Sequence, residues 1–500
     1  MKYVVTASQM KLYDTNTIDK IGIPGMVLME RAALRVFEVI DGRVQPCDKE
    51  KQKVLILAGT GNNGADGIAL ARLLSEAGYR VEVWGLGNPD KASSQWKEQV
   101  NILTHYSVNF GGKPLQEEYT IVVDALFGVG LCREVSDEYA EALAFCNAQN
   151  ALKVAVDMPS GIDTDTGAVL GCAFKADVTV TFGFVKRGLL MHPGCEYAGE
   201  VVVADIGISE RSFFGEEPDM FLYDEPLEQL LPKRANGGNK GTFGKVLLIA
   251  GSLNMAGAAV LSARAAYRAG AGMVKVLTVP ENREIIQRTV PEALLGTYAD
   301  LEASLEWADV IGIGPGLGIN AEARDVLEKV ICHSNLPILI DADGLNLLAE
   351  SEDMTETLAI QGERGRCIIL TPHVGELSRL TRTEIRELKT NLPEYTVQYS
   401  RKQHAIIVAK DARSFVAKED RPVFINTKGN SGMATAGSGD VLAGCILGLM
   451  AQQMDGFEAA CVGVYAHALA GDKVAFEKGE YGCMAGDIAD AIGTREQNIL

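Results

Sequence analysis

Short apolar runs, rich in β-branched residues and closing on glycine, recur along this chain with helix-length intervals between them. In the first half they are KVLILAG (53–59), YRVEVWG (79–85), TIVVDALFG (120–128), LKVAVDMPSG (152–161), DVTVTFG (177–183) and VVVADIG (201–207). Runs this uniformly apolar suit strands buried on both faces, and the spacing leaves room for a crossover helix after most of them. The pattern predicts α/β architecture: parallel sheets with helices on both faces. In such sheets ligands sit beyond the carboxyl ends of the strands, so the residues just after each run are the first functional candidates.

The alternation breaks between about 208 and 236, where charge, proline and turn residues replace it. A second series follows: KVLLIAG (245–251), MVKVLTVP (273–280), DVIGIGPG (309–316), LPILIDADG (336–344), CIILTPH (367–373) and HAIIVAK (404–410). SFVAKEDRPVFIN (414–426) then reads as a strand pair around a charged turn. A chain of 500 residues exceeds what one hydrophobic core serves. Two domains are predicted, 1–214 and 225–500.

Net charge is −19, from 47 basic and 66 acidic residues. That field repels phosphate backbones and anionic lipid, which argues against nucleic acid or membrane as a partner. Anionic small molecules remain open, because local dipoles and cations overrule a global field at short range. Ten cysteines are scattered without a CxxC pair or zinc spacing, which points to a reducing, cytoplasmic setting. The start, MKYVVTASQMKLYD, is too polar for a signal peptide. Residues 246–263 lack charge, but GSLN in their middle reads as strand, turn and helix, so no transmembrane segment is expected.

The first cluster of polar strand ends begins after KVLILAG, with GTGNNGADG (59–67) opening a helix. Bare backbone N–H groups at a helix N-terminus favour an anionic ligand. The same loop is equally compatible with a tight turn in which Asp66 caps the helix. Asp124 closes the third run and leads to GVGLCRE (128–134), where Arg133 is available to a phosphate. Asp157 ends the fourth, with Ser160 three residues on. Taken singly, Asp157 is a turn-former ahead of Met158-Pro159. Together, Asn63, Asp124 and Ser160 offer hard oxygens from one sheet edge, and one carboxylate among neutral oxygens suits a monovalent cation over zinc.

In order and spacing GTGNNGADG, DALFGVGLCREV and DMPSGID closely resemble the YjeF N-terminal family, over roughly residues 1–210. The resemblance implies a Rossmann-like doubly wound sheet that epimerises the hydrated nicotinamide cofactors NADHX and NADPHX. It places Asn62, Asn63, Gly64, Ala65, Asp66, Gly128, Val129, Gly130, Leu131, Cys132, Arg133, Glu134 and Asp157 on the hydrate. It places Asn63, Asp124 and Ser160 on a potassium ion. Asp157 is then the expected acid/base at C6. Ala65 departs from the family's usual glycine, which predicts tighter geometry without loss of function.

The second cluster centres on GNSGMATAGSGDVLAGCILGLMAQ (429–452). Gly437, Ser438 and Gly439 would present N–H groups at the positive end of an apolar helix, where a transferring phosphoryl group is stabilised. Asp440 stands at its mouth as a base for a substrate hydroxyl; the alternative is a helix capped by aspartate after a flexible turn. GSLNMAGAA (251–259), GIGPGLG (312–318), DADGLN (341–346), TPHVGE (371–376) and AKDARS (409–414) each follow a strand. These motifs resemble the ribokinase-like superfamily, specifically its NAD(P)H-hydrate dehydratase branch, from about 236 to 495. The resemblance implies a ribokinase-like α/β sandwich that phosphorylates the C6 hydroxyl of the S-hydrate and eliminates phosphate. Gly439, Lys410, Asp411, Ala412, Arg413 and Ser414 then touch the nucleotide, while Asp440, His373, Gly318 and Ala256 or Ala258 face the hydrate. Asp411 replaces a common glycine. The fused layout implies ADP as donor, with magnesium, and a homo-oligomer is expected.

Two other readings compete. The second domain alone also fits a small-alcohol or coenzyme kinase that releases a stable phosphorylated product. The first domain also fits a non-catalytic Rossmann-like binding module.

Overall fold

The computed structural model describes residues 1–114 and 118–493; the last stretch of the second predicted domain, 494–500, lies outside them. The chain forms two compact units, Lys2–Asp219 and Met220 onward.

In the N-terminal unit the strands are β1 (Lys2–Val5), β2 (Lys53–Ala58), β3 (Arg80–Gly85), β4 (Asn109–Gly111), β5 (Ile121–Ala125), β6 (Leu152–Val156), β7 (Val178–Phe182), β8 (Val185–Lys186) and β9 (Glu200–Ala204). Seven of them form a sheet in the order β4-β3-β2-β5-β6-β7-β9, and every neighbouring pair is parallel. β1 and β8 pair in parallel. Alternation along β2 divides the core. Val54 and Ile56 pack with Ile68, Leu70 and Val36 of the helices Asn62–Glu76 and Gly25–Asp41. Leu55 and Leu57 pack on the other face with Leu143 and Cys146 of the helix Asp137–Ala148.

The C-terminal unit contributes β10 (Met220–Leu222), β11 (Lys245–Ile249), β12 (Met273–Leu277), β13 (Leu294–Gly296), β14 (Val310–Ile313), β15 (Ile338–Ile340), β16 (Ile368–Leu370), β17 (Ile406–Ala409), β18 (Phe415–Ala417) and β19 (Val423–Ile425). Their order is β13-β12-β11-β14-β15-β16-β17-β18-β19-β10. β18 runs antiparallel to both β17 and β19, as the charged turn between the last two foretold. The uncharged stretch after residue 245 is β11, a loop and the helix Ala256–Arg268. Among the described residues no helix is long and apolar enough to cross a membrane.

All the runs singled out in the sequence became strands. Five short strands (β1, β4, β8, β10, β13) were not anticipated, being two to four residues long. Runs this brief carry no readable period; pairing to an existing sheet edge defines them.

The helix Ser438–Ala451 is almost wholly buried and packs with Ala256–Arg268 and Gly456–Lys478 over one sheet face. Its Leu447 lies so close over β14 that a Cβ at Gly312 would stand 2.2 Å from Leu447 Cδ1. Leu447→Ala is therefore expected to cost about 2–5 kcal/mol, since the rigid strand beneath cannot rise to fill the space. Denaturation followed by hydrogen exchange should show that loss in the C-terminal unit and none in β2 or β5.

Candidate active sites

Strand order in the N-terminal sheet reverses between β2 and β5, the place where an open parallel sheet leaves a crevice. A cavity of about 680 Å³ opens there, within the range of cofactor sites. Gly59 to Asn63, Asp66, the whole of Gly128 to Arg133, and Asp157 line it. Met10, Asp14, Leu28 and Lys186 are among the wall residues that were not anticipated. Glu134 is an exposed neighbour of that loop.

The loop after β2 becomes a helix at Asn62, with Gly61 as its cap. Asp66 is thus in the second turn, which rules out the capping alternative: its carboxyl lies too far along the helix to reach the first N–H groups. Burial pushes that carboxyl well above its usual range, and Asp157 and Asp14 push it further. Ala65 is fully buried without distortion. The strict glycine requirement falls on Gly64, where a Cβ would stand 1.8 Å from Gly59 O.

Asp124, at 0% exposure, ties two loops together. Its Oδ1 accepts from Ser160 Oγ (2.7 Å) and Leu126 N–H (3.1 Å), and its Oδ2 accepts from Ser160 N–H (2.7 Å). Ser160 Oγ in turn accepts from Phe127 N–H at 2.9 Å. Burial lifts Asp124 to about 6 even against these three donors, which lower it. Asn63 stands against Gly128 in the adjoining loop. Its Nδ2 is buried and has no hydrogen-bond partner among the described residues. An orphaned amide N–H calls for an acceptor such as a phosphate oxygen; a cation would instead take the Asn63 Oδ1 together with the Asp124 and Ser160 oxygens.

Asp157 takes a left-handed backbone conformation, φ 67°, in a turn without glycine. Strain of this kind persists where surrounding contacts impose it. Here they are Thr181 Oγ1 (3.2 Å), Phe182 N–H (3.3 Å) and Lys186 Nζ (2.5 Å), all donating to Asp157 Oδ1. Lys186 is 0% exposed and also donates to Phe182 O at 2.8 Å. Burial draws its ammonium below the ordinary lysine value, although Asp157 and Asp14 oppose this. The one sequence signal for Lys186 was a cation, followed at once by Arg187, directly after the apolar FGFV (182–185).

In the C-terminal unit the reversal falls between β11 and β14. The two loops there are hydrogen-bonded, Gly251 N–H to Pro315 O (2.9 Å) and Ser252 N–H to Gly316 O (2.6 Å). Ala256 and Ala258 are buried at the adjoining helix start, with Ala258 against Gly316. Gly318 N–H donates to Asp343 Oδ2 at 2.8 Å.

Beyond β15 to β17 lies a charged cluster. Asp341, 1% exposed, accepts from Lys410 Nζ and Thr371 Oγ1, each at 2.7 Å on Oδ1. The helix Ser438–Ala451 starts on Gly437, so Asp440 is its third residue and not its cap. First-turn N–H groups have no acceptor within the helix. That of Ser438 turns back to Thr435 O (3.3 Å), which removes it from the expected anion hole. Ser438 Oγ meets the buried His467 Nε2 at 3.3 Å, a residue the sequence reading missed. Burial pulls His467 down to about 4, so it is neutral. Burial, then Asp341, raises Asp440 to about 7, while Lys410 works in the opposite direction.

His373 caps the helix Val374–Thr381: its Nδ1 accepts from Gly375 N–H (3.0 Å) and Glu376 N–H (3.2 Å). That leaves the proton on Nε2, which faces Glu376 Oε1 at 3.4 Å, while the His373 backbone is bridged to Lys410. Lys410 comes near Gly439, where an added Cβ would stand 3.4 Å from Nζ. Asp411 and Ala412 are exposed, and Arg413 Nη1 donates to Thr427 O at 2.7 Å. Ser414 Oγ contacts Asp411 O at 3.4 Å.

Residues 25–188 match the family described as YjeF-related protein N-terminus, and residues 246–494 match NAD(P)H-hydrate dehydratase. The bifunctional NAD(P)H-hydrate repair enzyme of Moorella thermoacetica is 36% identical, over 98% of this chain and 95% of that one. Its counterpart in Coxiella burnetii is 37% identical over 93% and 94%, and that of Escherichia coli 32% over 96% and 92%. Among solved structures, an ADP/ATP-dependent NAD(P)H-hydrate dehydratase from Bacillus subtilis is 28% identical with a TM-score of 0.47, covering 53% of this chain and 93% of that one.

The geometry of the charged cluster makes a direct electrostatic prediction. Lys410 is a positive charge that favours ionised Asp440, so Lys410→Met should move the Asp440 carboxyl above its value of about 7. Carboxyl-carbon NMR titration of the ligand-free protein checks this; an unmoved midpoint would separate the two residues electrostatically.

Proposed function

This chain belongs to the family of bifunctional NAD(P)H-hydrate repair enzymes, and from that premise we propose how its two sites divide the work. The N-terminal unit interconverts the R and S hydrates at C6, and the C-terminal unit dehydrates the S form at the expense of a nucleotide. The observation that carries the dehydratase reading is Asp440 in the first turn of an apolar helix, beside Lys410 and Asp341.

In the C-terminal site ADP is the donor, with magnesium on its phosphates. Asp440 takes the proton of the C6 hydroxyl as that oxygen bonds to phosphorus and the bond to the nucleoside monophosphate breaks. The N1 lone pair then expels phosphate from C6, and loss of a C5 proton restores the dihydronicotinamide. Phosphoryl transfer asks mainly for positioning and charge stabilisation. The N–H groups at the helix start and Lys410 supply the second; His373, Gly318 and the alanine-rich helix start supply the first. Elimination follows because a nitrogen lone pair adjoins the phosphorylated carbon, which a stable alcohol phosphate lacks. The kinase alternative finds no support in the relatives.

In the N-terminal site the loops Asn62 to Asp66 and Gly128 to Glu134 hold the hydrate, and Asp157 is the acid/base at C6. Asn63, Asp124 and Ser160 would hold a potassium ion, which when bound supplies positive charge for the diphosphate. The buried Asp124 carboxylate, hydrogen-bonded to the Ser160 hydroxyl, supports that reading. Ten free cysteines agree with a cytoplasmic setting.

One coupled assay tests the whole: mixed NADHX epimers with ADP should return NADH absorbance to completion. Asp440→Asn is expected to lower dehydration by ~10²–10⁴-fold while nucleotide binding and epimerisation persist. Stable phosphorylated hydrate accumulating with the intact chain would favour a kinase. Epimerisation should also fail in sodium-only buffer and in Asp124→Ala, measured on resolved R-hydrate; equal rates in both buffers would remove the cation.

A further inference from the structure

Four ionisable side chains on the wall of the N-terminal cavity act on one another: Asp14, Asp66, Asp157 and Lys186. They come from four separate elements: the helix Ala7–Asn16, the helix Asn62–Glu76, the turn after β6, and β8. Three carboxyls thus share a single buried ammonium. Lys186 spends its contact on Asp157, at 2.5 Å. Among the described residues neither Asp66 nor Asp14 has such a contact: burial raises both and the charge on Asp157 raises them further, while Lys186 offsets part of the rise at Asp14. One carboxyl is salt-bridged while burial pushes a second well above its usual range, an asymmetry that divides acid from base at a shared site. The remaining ionisable groups on the wall are Lys11, Cys132, Arg133 and Tyr139.

The placement suits an inversion. Asp66, on the helix that follows β2, and Asp157, in the turn after β6, both line the cavity, and the strands they follow flank β5. Inverting a carbinolamine carbon through C–O cleavage needs an acid for the departing oxygen and a base for the water that arrives. We propose that Asp66 is the second catalytic acid/base of the epimerase, paired with Asp157, and that Lys186 is the positioning residue that holds Asp157. This rests on the epimerase reading given above. The C6–O bond breaks as the N1 lone pair forms N1=C6, and the oxygen leaves as water after taking the Asp66 proton. A water adds to the other face of C6, giving its proton to Asp157 and the electron pair back to N1. Each inversion leaves Asp66 ionised and Asp157 protonated, a state reset by solvent exchange or by turnover in the reverse direction.

The test uses the full chain, potassium and resolved R-hydrate in oxygen-18 water, without nucleotide so that dehydration is silent. The intact protein should place one labelled oxygen at C6 per inversion. Asp66→Asn should lower kcat for inversion and label entry together by ~10²–10⁴-fold, with KM essentially unchanged. Asp66→Glu should recover part of the rate. Lys186→Met should lower kcat for inversion with KM essentially unchanged, and Lys186→Arg should recover part of it; a merely structural lysine would lower the melting temperature and leave kcat of the folded protein in place. Melting curves and ADP-dependent repair of pure S-hydrate verify folding in each variant. Wild-type kcat in Asp66→Asn, a rise in KM alone, or inversion without label would overturn the proposal while the epimerase stands. An intact chain that fails to invert R-hydrate would overturn both.

Discussion

Each unit is organised by a reversal of strand order in the middle of a parallel sheet. Where one strand sends its helix to the left and its neighbour to the right, the loops part and a crevice opens at their carboxyl ends. In the N-terminal unit the crevice lies between β2 and β5; in the C-terminal unit it lies between β11 and β14. The loops at that point are tied by backbone and carboxylate hydrogen bonds instead of packed side chains. Asp124 binds the Leu126 and Ser160 loops from beneath, and the Gly251 and Ser252 N–H groups meet the Pro315–Gly316 turn. Polar atoms of the main chain are thereby left facing the ligand, at little cost in local rigidity.

On that scaffold both sites solve the same electrostatic problem. The chain carries a net charge of −19, and its ligands are anionic. Each unit holds a lysine locked against a carboxylate at its strand ends, Lys186 on Asp157 in the N-terminal cavity and Lys410 on Asp341 beyond β15 to β17. Burying such a pair is costly unless further hydrogen bonds complete it. Phe182 O and Thr371 Oγ1 provide them, one to each pair. The remaining carboxyls, Asp66 and Asp440, lack a cation of their own, and burial raises both. Low dielectric thus sorts chemically identical groups into fixed charges and proton carriers.

Joining the two units has a chemical reason. A site that dehydrates only one epimer of a carbinolamine strands the other, and an epimerase on the same chain removes that limit. The link needs no shared residue: each unit closes its own core and holds its own acid/base groups.

The amino-acid pattern by itself settled the parallel sheets, the strand-end loops and most of the polar groups they present. Apolar runs, glycine turns and helix starts are local features, and their period is visible within a dozen residues. Asp124, Asp157 and Asp440 were legible because each ends a strand or opens a helix. Tertiary structure alone decided what those groups do to each other. Lys186 lies 29 residues beyond Asp157, and Lys410 lies 69 beyond Asp341. Sheet order, which no local period encodes, brings each pair into contact. The same holds for Asp66, which local rules offered as a cap: its position in the second turn excludes that, and burial near Asp157 and Asp14 pushes its carboxyl well above the usual range. Charge state depends on burial and on distant neighbours, and both exist only once the chain has folded.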